Sequence, residues 1–372
     1  RCRKGRIRVL FLTEPLLHEL RQREFRRILM IKPSSFGDVI HALPVLNGLR
    51  HRYPTARISW LVAESLTGLL TDHPALDEVI PFDRKRYGAI GRKLDVSMSF
   101  MEFIYQLRAR RFDLVLDLQG LFRSGFLAFS SGAPTRIGFA NAREFGWMFY
   151  TDRVAIRDQE MHAVDRNYLF ARSLGFDDVP VEFKLPVTDA ARVRARQMLS
   201  HSDSAYALIA PGTRWETKQW SAAGFAEVAR RLANEQGLRI VLIGMPDERT
   251  IADDVASRCG VDVINLAGET QLDTLIALVD GAAVCVMHDS GPMHLATALG
   301  KPMVALYGPT NPQRTGPYRR DDAILRLPLD CSPCYIKKVA DCPHVHRCMK
   351  DLTPQAVHER AATVISTGAQ TH

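Results

Sequence analysis

No apolar run in the 372-residue chain approaches the ~20 residues that a membrane-spanning helix requires, which excludes a helical span. A secretory leader is not evident either. Residues 7–12 (IRVLFL) follow a basic start, but the run is too short for a signal core and no small-residue cleavage site follows it. The chain also lacks GxGxxG and GxxxxGK, so neither a dinucleotide fingerprint nor a Walker phosphate loop is present. Cysteines number seven. Cys2, Cys259 and Cys285 are scattered, the last two in apolar stretches, while Cys331, Cys334, Cys342 and Cys348 cluster. These absences predict a reducing, cytoplasmic setting in which disulfides do not form.

What is present is an ordinary globular composition, 46% apolar and 24% charged, in a chain long enough for two domains and two cores. Forty-nine Lys and Arg stand against 41 Asp and Glu, a formal charge of +8. That excess suits an anionic partner such as a nucleotide, a phosphorylated lipid or an anionic membrane face. Nine of the basic residues fall in residues 1–27, which read as a basic extension. From there buried-type strands alternate with helices. Strands are predicted at 28–32 (ILMIK), 57–62, 78–82 and 113–117, with helices at about 38–51 and 96–110. The alternation restarts after Pro186, with strands at 206–210, 239–243, 262–266, 283–287 and 302–306. Helices at 221–235, 247–258, 271–279 and 291–299 separate them. The expected architecture is α/β: a doubly wound, Rossmann-like domain over 28–185, a second over 186–372, and a cleft between them. Ligands in such sheets bind outside the carboxyl ends of the strands.

Three polar constellations fall at such strand ends. Lys32, Ser34, Ser35, Gly37 and Asp38 occupy the first strand-to-helix turn. There Ser and Gly expose backbone N–H groups, and a charge ending a buried strand needs a reason. Asp38 sits where the helix begins, a place common for an N-cap or first-turn carboxylate. Residues 210–220 (APGTRWETKQW) follow the strand at 206–210; Thr213, Arg214 and Lys218 there suit a diphosphate, or form a polar loop capping the next helix. Residues 288–294 (HDSGPMH) open a helix with Asp289, Ser290, Gly291 and His294. The carboxylate can take hydrogen bonds from sugar hydroxyls or orient nearby N–H groups; the plain alternative is a helix cap.

Taken together, these stretches resemble glycosyltransferase family 9, the lipopolysaccharide heptosyltransferases. IKPSSFGDVIHALPVLNGLR is similar to the family's opening signature, its SSFGDV core most of all to the heptosyltransferase I type. DLVLDLQGLFR (113–123) resembles a DxQGLxxS region with Asp117, Gln119, Gly120 and Arg123, and HDSGPMHLATALGKPMVALYGP resembles the donor-side signature. The resemblance implies a GT-B fold, an acceptor-binding first domain and a donor-binding second domain. It implies ADP-L-glycero-D-manno-heptose as donor substrate, inversion at the anomeric carbon, no cofactor and no catalytic metal. Asp38 matches the family's base. Thr213, Lys218, Asp289, Ser290, Gly291 and His294 match donor contacts, with Arg214 beside them and Glu248 toward the adenosine. Lys32, Ser34, Ser35, Gly37, Gln119 and Arg123 fall to the acceptor side, and Lys85, Arg86, Arg136 and Arg166 are further candidates for its phosphates and carboxylates. Arg214 and Ser290 depart from the heptosyltransferase I pattern, which often has a hydroxyl and Thr there.

The segment CSPCYIKKVADCPHVHRCMKDL is closer to the heptosyltransferase II type. Its Cys331, Cys334, Cys342 and Cys348 are candidate zinc ligands, or reduced loop thiols. The expected partners are ADP-heptose, a Kdo–lipid A or heptosylated core acceptor and the anionic cytoplasmic face of the inner membrane, with no nucleic acid. The competing readings are a same-fold transferase of another sugar, a sugar 2-epimerase, and a degenerate nucleotide-sugar-binding protein without turnover.

Overall fold

The computed structural model describes residues 14–201 and 204–368, and the chain divides into two compact units at Lys184/Leu185. The first begins with α1 (Glu14–Gln22), β1 (Arg27–Ile31), α2 (Phe36–Ile40) and α3 (Leu43–Arg52). It continues through β2 (Arg57–Ala63), β3 (Glu78–Phe82), α4 (Leu94–Ala109), β4 (Leu114–Asp117) and α5 (Phe122–Ser130). It closes with β5 (Thr135–Phe139), β6 (Asp152–Val154) and α6 (Ala163–Leu174). Its strands are all parallel, in the order β3-β2-β1-β4-β5-β6. Ile28, Leu29, Met30 and Ile31 are fully buried, as expected of a central strand covered on both faces.

The second unit contains α7 (Asp189–Met198), β7 (Tyr206–Ala210), α8 (Ala222–Gln236), β8 (Arg239–Leu242), α9 (Arg249–Cys259) and β9 (Val263–Asn265). Then come α10 (Leu272–Gly281), β10 (Val284–His288), α11 (Gly291–Ala298), β11 (Met303–Tyr307), α12 (Pro312–Thr315), β12 (Ile324–Arg326), α13 (Arg347–Lys350) and α14 (Pro354–Gly368). Its order, β12-β11-β10-β7-β8-β9, is the same winding as the first, and all strands are parallel. Phe225, Val228, Leu232, Ile240, Val286 and Val357 lie in one core that packs α8 and α14 against this sheet. The helix starts and stops follow local chemistry. Ser221 caps α8 by accepting from Gly224 N–H at 3.0 Å, and Gly237 ends it at φ +66°, a conformation natural to glycine.

Two expectations are corrected. The single helix at 38–51 is two, interrupted at His41–Ala42, because Pro44 has no N–H to continue the ladder and instead sits in the first turn of α3. The basic extension is not a separate piece throughout. Leu20 and Phe25 are buried, Arg21 donates to Arg172 O at 2.8 Å, and Arg27 already starts β1. The amphipathic pattern of α1 was masked in the sequence by the surrounding arginines. Residues 1–13, with five of the nine basic residues, lie outside the described residues.

Candidate active site

In each sheet the winding reverses between the two central strands, β1 and β4 in the first and β7 and β10 in the second. The carboxyl ends of such a pair diverge and leave room for a ligand. All the strand-end constellations flank these two points.

In the first unit, Lys32 follows β1 and is 3% exposed. Its ammonium donates to Leu118 O at 2.9 Å, just past β4, and lies 3.9 Å from Asp38 Oδ1. Burial pulls the Lys32 pKa down, against the attraction of Asp38. Asp38 is a first-turn carboxylate rather than the N-cap itself: Ser35 is the N-cap residue of α2 and Asp38 its third residue, closing a capping box by accepting from Ser35 N–H at 3.0 Å and Ser35 Oγ–H at 2.7 Å. Burial would raise the Asp38 carboxyl, but Lys32 and the two Ser35 bonds overcome that and hold it at about 2. The Asp38 side chain remains 38% exposed, so solvent and ligands can reach it.

Gln119 joins this group by accepting from Ser34 N–H at 3.4 Å, while Gly37 is buried in the first turn of α2. Arg123 stands exposed on the first turn of α5. Asp117 is fully buried and not available to a ligand. It accepts from Tyr150 Oη at 2.6 Å and from Gln119 and Gly120 N–H at 2.9 and 3.2 Å, so it shapes the loop that presents Gln119. Tyr150 in turn occupies the space over Gly138, where a Cβ would come within 2.2 Å of its ring. Arg84, which the sequence did not single out, donates to Ser34 Oγ at 3.1 Å and adds a cation to the group.

Of the other basic candidates, Lys85 and Arg86 are exposed, and Arg166 lies over the Phe139 ring at 5.5 Å. Arg136 is engaged within its unit: its guanidinium donates to Phe149 O at 2.7 Å and Ala133 O at 2.6 Å. An arginine fixed on backbone carbonyls in this way holds its unit together through Nε and Nη1.

In the second unit, the loop after β7 passes through Gly212, Thr213 and the exposed Arg214 into a short 3-10 turn at Glu216–Lys218. Lys218 Nζ reaches Asp289 at the end of β10. It lies 2.6 Å from Asp289 Oδ2 and donates to Asp289 O at 3.2 Å, with the side chains 14% and 5% exposed. Lys218 also lies over the Trp215 ring at 4.6 Å. Thr310, past β11, donates to Asp289 Oδ2 at 2.6 Å. Thr310 escaped the sequence reading; its only signal was its place after a buried strand, in YGPT. Asp289 is therefore largely occupied within the protein, as the anchor of Lys218.

Ser290 precedes α11, its hydroxyl on His288 O at 3.3 Å; Gly291 begins the helix and His294 lies in its first turn. His288 is fully buried, accepts from Trp220 N–H through Nε2 at 2.9 Å, and is lowered to about 4 by burial, so it is a neutral strut. Glu248 packs against Gly212, where a Cβ would meet its Cδ at 2.4 Å, and accepts from Met245 N–H at 2.8 Å. Burial raises its carboxyl, while Met245 N–H and nearby Arg214 lower it.

The cysteine-rich segment braces the turn that carries Lys218. Thr217 Oγ donates to Ile336 O at 2.5 Å, and His346 Nε2 meets Thr217 O at 2.8 Å. Cys331, Cys334, Cys342 and Cys348 are free thiols; burial and its three neighbours push Cys348 up to about 11. Among the described residues no group of three or more His, Cys, Asp or Glu is placed to hold a metal ion.

Chemically, the first site offers an ionised, reachable carboxylate beside buried and exposed cations. The second offers a partly buried lysine, hydroxyls and a helix N-terminus, which together suit a diphosphate. A family model described as glycosyltransferase family 9 (heptosyltransferase) matches residues 100–343. The lipopolysaccharide core heptosyltransferase OpsX of Haemophilus influenzae is 30% identical, over 81% of this chain and 84% of its own. Lipopolysaccharide heptosyltransferase 1 of Pseudomonas aeruginosa is 32% identical, over 84% and 86%. Among solved structures, Escherichia coli heptosyltransferase WaaC with ADP-2-deoxy-2-fluoro heptose is 28% identical. It superposes with a TM-score of 0.71 over 91% of this chain and 99% of that one.

Proposed function

Because the chain belongs to glycosyltransferase family 9, we propose that it transfers L-glycero-D-manno-heptose from ADP-heptose to the Kdo and heptose inner core of lipopolysaccharide. The relatives named as lipopolysaccharide heptosyltransferases support the sugar and the core, and the WaaC complex supports the ADP-linked donor. On this reading the second unit binds the donor and the first the acceptor.

The observation that carries the reading is the Lys218–Asp289–Thr310 knot at the reversal of the second sheet. Two of the three Lys218 donor positions are held by Asp289, and the third, beside the Trp215 ring, is the one a phosphate oxygen would take. Thr213, Arg214 and the N–H groups at Ser290 and Gly291 complete the diphosphate contacts, and His294 and Glu248 flank them. As the bond between the anomeric carbon and the β-phosphate oxygen breaks, these groups stabilise the charge left on ADP.

The acceptor hydroxyl forms the new bond to that carbon and gives its proton to Asp38. A carboxylate held at about 2 is a weak base, so it takes the proton late, once bond formation has made the hydroxyl acidic. Lys32 keeps it ionised until then. Gln119, Ser34, Ser35 and Arg123 position the acceptor, with Arg84 as a further cation. The acceptor is a lipid, so the enzyme works as a peripheral protein at the cytoplasmic face of the inner membrane; no helix among the described residues is long and apolar enough to cross it.

The test is incubation of the purified protein with ADP-heptose and Kdo–lipid A, read by mass. The expected result is one heptose added to the lipid with release of ADP. Altered sugar released without lipid, or preferential transfer from another nucleotide sugar, would overturn the reading.

A further inference from the structure

Helix α4 carries two apolar stripes. Val96, Phe100, Phe103 and Leu107 recur at steps of four, three and four residues and face the first unit's core, with Val96 and Leu107 buried. Leu94, Met98, Met101 and Tyr105 recur at the same steps two residues earlier. Two residues are ~200° of helix rotation, so this second stripe lies on the opposite side. It is open: Leu94 is 78% exposed, Met98 64%, Met101 67% and Tyr105 75%. A stripe of this length runs along roughly 16 Å of helix. Neighbouring α5, in ring contact with α4 through Phe100 and Phe126, leaves Phe122 and Phe129 exposed as well. Scattered exposed apolar residues are common on protein surfaces; an ordered row of four on one helix face is not.

The charge around the stripe indicates what covers it. From Arg84 to Arg111 the chain has eight Arg or Lys against two acids, Asp95 and Glu102. Lys85, Arg86, Arg92 and Lys93 are exposed at the amino end of the helix, and Arg108 and Arg111 at its carboxyl end. Apolar side chains bracketed by exposed cations match an anionic lipid leaflet: acyl chains receive the former and headgroup phosphates the latter. A self-complementary interface would have to place these cations against one another.

We propose that the outer face of α4 is a membrane-seating surface, its Leu94–Met98–Met101–Tyr105 stripe entering an anionic leaflet while the flanking lysines and arginines bind the headgroups. This rests on the lipid acceptor proposed above, and it assigns the contact to residues other than Asp38 and Lys218.

The experiment compares the parent chain with the quadruple variant Leu94→Gln, Met98→Gln, Met101→Gln and Tyr105→Gln, all exposed and all replaced by a helix-compatible residue. Partition onto vesicles of equimolar phosphatidylethanolamine and phosphatidylglycerol should fall roughly tenfold or more. Heptose transfer to a deacylated, water-soluble acceptor should be unchanged. In a second measurement, Met98→Trp in the otherwise parent chain should give emission that shifts to the blue and is quenched by brominated acyl chains. Undiminished partition of the quadruple variant, or an indole signal from Met98→Trp that is blind to vesicles, overturns the proposal. So does sedimentation showing a lipid-free dimer of the parent that the variant loses, since the stripe would then join two copies. Vesicle binding that depends on the stripe in a protein unable to transfer heptose would uphold this surface and refute the proposed function instead.

Discussion

At the reversal of the first sheet, Lys32 and Asp38 stand 3.9 Å apart, the lysine buried and the carboxylate 38% exposed. At the reversal of the second, Lys218 and Asp289 stand 2.6 Å apart, both mostly buried, with Thr310 as a third partner. The two units share one winding and one pairing of residue types, yet the pairs differ in what is left free. In the first it is the carboxylate that faces outward. Its partners hold it ionised without enclosing it, which suits a group that must receive a proton. In the second the carboxylate is enclosed and the lysine, held by it and lying over the Trp215 ring, is the more exposed of the two, which suits steady attraction for a diphosphate. A carboxylate fully engaged by its neighbours has little left to give a reacting hydroxyl, so the proposed function assigns chemistry to the looser pair and binding to the tighter one.

Replacing Asp38 with Asn should break the first half of this contrast most visibly. The Asn carbonyl can still accept from Ser35 N–H, so the turn is retained while the base is lost. We expect kcat at saturating donor and acceptor to fall at least ~100-fold, with the melting temperature lowered by only a few degrees. If kcat stays within a few-fold of the parent's, Asp38 serves the helix alone.

Lys218→Ala tests the other half. It leaves Asp289 buried with Thr310 but without its cation. Truncating one member of a buried pair costs ~3–5 kcal/mol of stability, and the lost charged contact costs ~10- to 150-fold in kcat/KM for the donor. The KM for the acceptor should be unaffected. Titrating both substrates checks this; an effect confined to the acceptor would reverse the assignment of the two units.

The smallest expected effect is on stability against pH. Asp38 is held below its ordinary value by Lys32 and Ser35, so its contribution is present above pH ~4 and is lost as pH falls toward about 2. With the side chain 38% exposed, solvent screening limits that contribution to about 1 kcal/mol. Urea unfolding of the parent and of Asp38→Asn across this range should show the parent losing its advantage on acidification. Parallel curves would mean that the Lys32–Asp38 attraction contributes nothing to stability.

Nine of the twelve strands among the described residues, several of the helices between them and the strand-end position of the three polar constellations were legible in the sequence; β5, β6 and β12, which lack a long apolar run, were not. The legible signals are local: a buried parallel strand is a short apolar run, and a turn is marked by Pro, Gly and Ser within a few residues. The motif resemblance was legible for the same reason, being carried by contiguous stretches. Where a local signal was covered by another, the reading slipped. The arginines around Leu20 and Phe25 concealed a packed helix, and the apolar periodicity across residues 38–51 concealed the break that Pro44 imposes.

Partners distant in sequence were another matter. Lys218 meets Asp289 across 71 residues, Thr310 closes on the same carboxylate, and Tyr150 caps the buried Asp117. Arg136 had the look of a phosphate ligand, and only the fold shows its guanidinium bound to two backbone carbonyls. Composition and periodicity also could not tell which of the two apolar faces of α4 is covered, since both obey the same spacing. The sequence by itself determined that this is a two-unit α/β chain with polar groups at its strand ends, because backbone preference and burial period are properties of neighbouring residues. Only the tertiary structure decided which carboxylate is free, which is enclosed and which helix face is left open, because electrostatics and burial depend on what lies within a few ångströms, and the chain order does not specify that.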